Sequence, residues 1–135
     1  LYRSVRGPVT KKAFDAKQVT DAVHFDALLA EATAVDDRSQ LLAAALGAVG
    51  RVSVEQREYQ RGRDIHLAAA KIWAVRGDSS GEALCLLRAG AAAYHLDDVD
   101  DALQISGHAR DVFASIGDTE GVIWATLNLA QARNL

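Results

Sequence analysis

The sequence predicts an all-α fold built from tandem helix-turn-helix repeats of about 40 residues. Three observations support this. Much of the apolar half of the chain is alanine, and only 6% of the residues are aromatic, which favours closely packed helices. One proline and ten glycines leave few interruptions of long helices. A pattern of glycine, aspartate and apolar residues also recurs at a constant spacing.

The repeat is clearest in a Gly-Asp-x-x-Gly pattern. One copy spans 77–81, and the second spans 117–121, forty residues later. Gly50 stands in the same relation to Gly90. A fixed period of this length is typical of repeat architectures, in which each unit buries its apolar face against its neighbours.

Each repeat contains two predicted helices, a first-type and a second-type helix. Residues 1–14 are predicted to be a lead-in or linker, because Pro8 would interrupt a helix there. The repeat domain is predicted over 15–135. It comprises a second-type helix at 18–35, full pairs at 40–75 and 80–116, and a final first-type helix at 120–134.

The predicted helix ends carry capping signals. Gly77 and Gly117 stand where a left-handed C-cap is needed. Asp118 stands at an N-cap position, and Ser79 with Glu82 has the spacing of a capping box. Each Gly-Asp pair is therefore predicted to end one helix and begin the next.

Composition and charge argue against several classes of protein. A formal net charge of -3 argues against direct nucleic-acid or anionic-membrane binding. The longest apolar runs, such as 41–49, are too short to span a bilayer. No signal peptide is visible, so we expect a cytoplasmic protein. The absence of methionine indicates that Leu1 is not a native start and that the sequence is a piece of a longer protein.

These features resemble the tetratricopeptide repeat family, in the variant with a period near 40 found in large bacterial regulators. The resemblance rests on Gly90, on the segments 96–103 and 113–121, and on Ala109. It implies a right-handed superhelical stack of antiparallel helix pairs, an α-solenoid. It further implies a non-catalytic scaffold or sensor module of a regulatory protein, with a protein or peptide partner. His66 and Ser106 depart from the family pattern, which has an aromatic residue there.

In this family, ligands lie along a concave face lined by the first-type helices. The resulting groove would be mostly apolar, which suits an extended peptide or an amphipathic helix. The alternative is that its leucines pack between helices. The residues assigned to this partner-binding face are Arg51, Glu55, Leu84, Leu87, Arg88, Tyr94, His95, Trp124, Asn128 and Gln131.

No catalytic or metal-binding set stands out. The sequence has no glycine-rich phosphate loop, Ser-His-Asp set or paired carboxylates. His95 with Asp97 and Asp98 is better explained as a turn and helix start. Cys85 lies in an apolar stretch and is interpreted as a buried packing residue. We therefore expect no enzyme activity, no metal and no cofactor.

Two surface features leave alternatives open. The last helix keeps apolar residues such as Trp124 and Leu129 uncovered, which predicts either a further repeat or self-association through the repeat ends. A basic stretch runs through Arg51, Arg57, Arg61 and Arg63. It is interpreted as a solvated face, or as a contact to a neighbouring acidic turn or an anionic partner.

Overall fold

The computed structural model describes residues 36–134, so the lead-in predicted at 1–14 and the helix predicted at 18–35 lie outside it. The described residues form helices and no strand, which confirms the all-α prediction for this part of the chain. The helices are α1 (Asp36–Glu55), α2 (Tyr59–Val75), α3 (Ser79–His95), α4 (Val99–Ser115) and α5 (Thr119–Arg133).

Helix and link lengths are regular after α1. The first helix begins at Asp36, earlier than the predicted residue 40, whereas the later helices begin and end within a residue of their predicted bounds. α2, α3 and α4 each have 17 residues, and three-residue links join them. Helix starts are therefore spaced twenty residues apart, half of the repeat period.

The four links share one backbone course. Their central residues all have positive φ: Arg57 (63°), Gly77 (78°), Asp97 (57°) and Gly117 (71°). In each link, the N–H of the residue after this central one donates to the carbonyl five residues earlier, which is the Schellman pattern. The left-handed C-caps predicted at Gly77 and Gly117 are confirmed. The other two links adopt the same course without glycine.

In the three links that end in aspartate, this residue caps the next helix. Asp118 Oδ1 accepts a hydrogen bond of 2.9 Å from the Gly121 N–H, as predicted. The capping box predicted to begin at Ser79 is wrong by one residue. Asp78 is the N-cap, because its Oδ1 accepts from the Gly81 N–H at 2.8 Å.

Consecutive helices pack against each other, and α3 also contacts α5. Gly50 of α1 lies against the His66 ring of α2, and Gly90 of α3 lies against Ser106 of α4 in the same way, forty residues on. An added Cβ would overlap the neighbour at both positions. Glycine therefore permits this close approach of each first-type helix to its second-type partner.

A second close approach joins neighbouring pairs. Trp73 of α2 packs on Gly81 of α3, and Phe113 of α4 packs on Gly121 of α5. The aromatic ring occupies the space that a side chain on the following helix would need. The 40-residue period in the sequence is thus a period of packing contacts as well.

The core between these helices is made mainly of alanine with a few larger aliphatic residues. Its largest fully buried apolar side chains include Leu42, Leu46 and Ile65. Across residues 36–134, no helix combines the length and apolar character that crossing a bilayer requires.

Candidate functional site

Two arginines on different first-type helices are near enough to interact electrostatically. Arg51 is on α1 and Arg88 is on α3. Partial burial lowers the pKa of Arg88 below its ordinary value, and the positive charge of Arg51 lowers it further. Among the described residues, neither guanidinium has a hydrogen-bond or ion-pair partner. We call Arg51 and Arg88 the arginine pair. Glu55 lies one helical turn after Arg51, but it forms no ion pair with either guanidinium.

His66 of α2 lies beside the arginine pair. The side chain is only 1% exposed, and its Nδ1 has no hydrogen-bond partner. Burial lowers the pKa of His66 to about 4, and the charges of Arg88 and Arg51 contribute to the shift. The ring is therefore neutral at pH 7, so it adds a polar edge but no third positive charge.

Cys85 is buried on α3, as predicted. Burial raises the pKa of its thiol to about 11, against the opposing effect of Arg88. The thiolate is the nucleophilic form of cysteine, and very little of it forms near pH 7. Cys85 therefore contributes packing to the site, and its environment does not activate it.

An apolar recess lies between α3 and α5. Its volume is about 400 Å³. Leu84 is 40% exposed and Trp124 is 54% exposed, so both present apolar surface to solvent. Leu87, by contrast, is half-buried against the core, as the packing alternative predicted for it. The recess is lined by Leu84, Leu87, Phe113, Asp118, Glu120, Gly121 and Trp124.

The two polar residues assigned on α5 differ in their surroundings. Asn128 is half-buried, and its side-chain N–H donates to the Leu87 carbonyl at 3.3 Å. This hydrogen bond links α5 to α3, so Asn128 has a structural role. Gln131 is exposed near the end of α5, where its side chain is accessible.

Tyr94 and His95, which were assigned to the same face, lie at the end of α3 and away from Arg88. His95 stacks on Tyr59 of α2, with ring centroids 4.7 Å apart, and Tyr94 meets it edge-on. His95 follows Arg88 by seven residues, about 10 Å along the helix. Glu55 is exposed at the end of α1, one helical turn after Arg51. The structure therefore divides the assigned face into a central part and an end part.

Arg61 and Arg63, which belong to the same basic stretch as Arg51, form ion pairs within the chain. Arg63 binds the acidic start of α4, with its Nη1 at 3.0 Å from the Asp101 carboxylate and 4.0 Å from that of Asp98. Arg61 pairs with Glu58 at 2.7 Å. The predicted contact to a neighbouring acidic turn is thus present at Arg63. In residues 36–134, no three histidine, cysteine or acidic residues are grouped as metal ligands would be.

The sequence placed Arg51 and Arg88 on one predicted face, but it did not indicate that they interact with each other or with His66. The two arginines are 37 residues apart in the sequence. Only the rotation of α1 and α3 about their axes decides that these side chains approach each other. Because Arg51 and Arg88 do not occupy equivalent positions of the 40-residue repeat, the repeat pattern does not reveal that they form a pair.

No family model matches this chain, and no curated protein or solved structure matches it significantly.

Proposed function

We propose that this chain is a non-catalytic scaffold that binds an acidic, partly apolar peptide segment of a partner protein. The observation that carries the proposal is the arginine pair, Arg51 and Arg88, which lacks a carboxylate partner among the described residues. The apolar recess on α3 and α5 supplies the second half of the site.

The arginine pair favours an anionic ligand on electrostatic grounds. Arg88 is half-buried and shares its surroundings with the charge of Arg51, so each cation disfavours the other. A carboxylate between them would relieve this repulsion and accept bidentate hydrogen bonds from a guanidinium. Arg63 satisfies its charge within the chain through Asp64 and Asp101. The arginine pair leaves that role to a ligand.

The apolar recess favours a peptide over a small anion. Trp124 and Leu84 offer an aromatic and an aliphatic surface on adjacent first-type helices. Tryptophan is among the residue types that most often contribute a large share of the binding energy in protein interfaces, and Leu84 adds apolar surface beside Trp124. Leu84 precedes Arg88 by one helical turn, so an acidic residue followed by an apolar one can contact both features.

The wider setting belongs to the same proposal. The recurring glycine contacts and the packing of α3 against α5 support a tetratricopeptide-like, right-handed superhelical stack whose concave side carries this site. The resemblance also supports a place in a larger, cytoplasmic bacterial regulator, as a sensor of a protein or peptide partner.

Fluorescence anisotropy with a labelled peptide tests the proposal. The probe alternates aspartate with leucine and phenylalanine, and the control peptide has lysine in place of each aspartate. We expect the acidic probe alone to bind. In the double variant Arg51→Gln/Arg88→Gln, affinity should fall at least about tenfold, because charge-assisted hydrogen bonds are lost.

A matched double variant keeps the test specific. Arg110→Gln/Arg133→Gln removes the same charge from a half-buried position on α4 and an exposed position on α5 and should bind like the parent chain. If the two double variants weaken binding equally, long-range charge explains the affinity and the arginine pair is not the site. Equal binding of the acidic and lysine peptides also contradicts the proposal.

An alternative function is self-assembly through the end of the stack, and one observation favours it. α5 is the counterpart of α3, forty residues later. On α3, the surface at Gly90 is covered by Ser106 of α4. Ala83 of α3 is 0% exposed, whereas its counterpart Ile123 on α5 is 56% exposed. α5 therefore exposes apolar surface at Ile123, whereas Leu129, which was expected to be uncovered, is only 3% exposed.

Light scattering over a range of concentrations tests this alternative. Self-assembly through α5 predicts a mass that rises with concentration, and Ile123→Lys should abolish the rise. Glu120→Lys changes charge on the same helix outside this apolar position and serves as the control. A mass that stays monomeric throughout contradicts self-assembly and leaves the peptide site unaffected.

A further inference from the structure

A second recess lies on the side of α3 opposite Leu84 and Arg88. Glu82 and Leu86 are one turn apart on that side, and the recess is bounded by α2 and α4. Its volume is about 310 Å³, within the range of small-molecule sites. The lining residues are Asp64, Leu67, Ala68, Ala70, Lys71, Ala74, Glu82, Leu86 and His108.

The floor of this recess is apolar and made of small side chains. Ala68, Ala70 and Leu86 are all buried at its base, with Leu67 packed partly against the core. No buried polar group of the floor would need a ligand partner. The shape therefore suits a compact aliphatic group and not a planar, hydrogen-bonding ring.

Charges of opposite sign stand at the rim. Lys71 of α2 is exposed and has no ion-pair or hydrogen-bond partner among the described residues. The Glu82 carboxylate on α3 lies 3.9 Å from Nε2 of His108, beyond hydrogen-bonding distance. Asp64, in contrast, already accepts from Arg63 at 3.1 Å. The rim thus offers one ammonium and one carboxylate with capacity to bind a ligand.

The recess is not a by-product of the repeat. Stacking requires the same residue class at positions forty residues apart, as Gly50 and Gly90 show. The four residues that define this site have counterparts of different chemistry: for Leu67, Lys71, Glu82 and Leu86, the counterparts are Gly107, Asp111, Val122 and Thr126.

We propose that this recess binds a free aliphatic α-amino acid. The ligand's side chain lies on Ala70 and Leu86, its ammonium group pairs with Glu82, and its carboxylate pairs with Lys71. A zwitterion carries one charge complementary to each of these two rim groups. This site is separate from the peptide site, because it occupies the opposite side of α3 and uses none of the same residues.

Isothermal titration calorimetry with the full chain tests the ligand class. The probes are L-leucine, 4-methylpentanoate, which lacks the ammonium group, and isopentylamine, which lacks the carboxylate. We expect L-leucine to bind at least about tenfold more tightly than either analogue, since each analogue leaves one rim charge unpaired. No heat with L-leucine up to ~10 mM, or equal binding of an analogue, overturns the proposal.

Variants test the location. Ala74 is an exposed lining residue, so Ala74→Trp should block the recess without disturbing the core. Ala114 is its exposed counterpart forty residues later, and Ala114→Trp should bind L-leucine normally. Lys71→Gln and Glu82→Gln should each weaken binding at least about tenfold while helicity by circular dichroism is kept. Unchanged binding in Ala74→Trp, or equal loss in both tryptophan variants, overturns the assignment.

Discussion

Gly50 lies so close to His66 that a Cβ added to the glycine would be 2.7 Å from Cε1 of the imidazole. This contact sets the distance between α1 and α2. Because the ring is almost fully buried, it cannot move away from the glycine into solvent. The first-type helix therefore depends on glycine at this position for a packing reason, and not for backbone conformation.

Gly50→Ala should destabilise the fold by about 1–3 kcal/mol, as overpacking of a close helix contact does. Gly47 is the matched control on the same helix, because an added Cβ there meets nothing within 4 Å. Gly47→Ala should stabilise by about 0.5–1 kcal/mol through the helix preference of alanine. Urea denaturation followed by circular dichroism measures both changes, and a similar change in the two variants contradicts this assignment.

The buried histidine predicts a specific dependence of stability on pH. Its pKa falls from 6.5 to about 4 in the folded chain. Between these values the unfolded chain binds a proton that the folded chain does not. The contribution of His66 to stability is therefore complete above about pH 6.5 and is lost as pH falls towards about 4. The expected loss is on the order of 3 kcal/mol.

His66→Phe isolates this effect. It removes the titrating group and the unpartnered Nδ1. Because the phenyl ring is larger than imidazole, a loss of stability that does not depend on pH is expected from overpacking. Denaturation of both proteins at several pH values between 4 and 7 should show a smaller loss of stability in the variant. Parallel curves would show that carboxylates elsewhere, and not His66, govern the acid limb.

The N-cap of α2 should be improvable. Glu58 occupies that position without a side-chain capping hydrogen bond, whereas Asp98 caps α4 by accepting from the Asp101 N–H at 3.1 Å. Glu58→Asp should stabilise by about 0.5–1 kcal/mol. Glu58 also forms an exposed ion pair with Arg61. The shorter aspartate would weaken this ion pair, which contributes less than the cap.

The reverse change provides the control for the capping prediction. Asp98→Glu should cost about 1 kcal/mol, because the longer side chain loses the capping geometry. Thermal unfolding of the two variants measures both signs. If Glu58→Asp fails to stabilise the protein, the ion pair between Glu58 and Arg61 contributes at least as much as the cap would.

The links predict a third contrast. Gly117 has a φ of 71°, so Gly117→Ala should cost about 1 kcal/mol. Arg57 has a similar φ of 63° and bears that strain already. Arg57→Gly should therefore stabilise, and by more than Asp97→Gly, because aspartate tolerates the left-handed region better than arginine. Denaturation midpoints decide the order, and a loss of stability in Arg57→Gly contradicts it.

The helical architecture was accessible from sequence because its signals are local or periodic. Gly77 and Gly117 mark their links through a backbone need that glycine meets most easily. The equivalent roles of Arg57 and Asp97 were not accessible, because neither residue signals a positive φ by itself. Ser79 was mistaken for a cap because its spacing to Glu82 fits, yet Asp78 beside it accepts the bond.

The candidate site was accessible only in part. The register correctly indicated exposed apolar side chains at Leu84 and Trp124. It could not indicate that Leu87 turns partly into the core, or that His95 is held by Tyr59. Such details depend on how each helix is rotated against its neighbours, which spacing alone leaves undetermined.

The uniform length of helix plus link has a consequence for how this chain can be rebuilt. Deleting residues 59–98 would join Glu58 to Val99. The link after α1 would keep its three residues and would lead directly into α4. Gly50 would then face Ser106 in place of His66. Whole helix pairs can therefore be removed or duplicated, and the chain can change its length without a new type of link between helices.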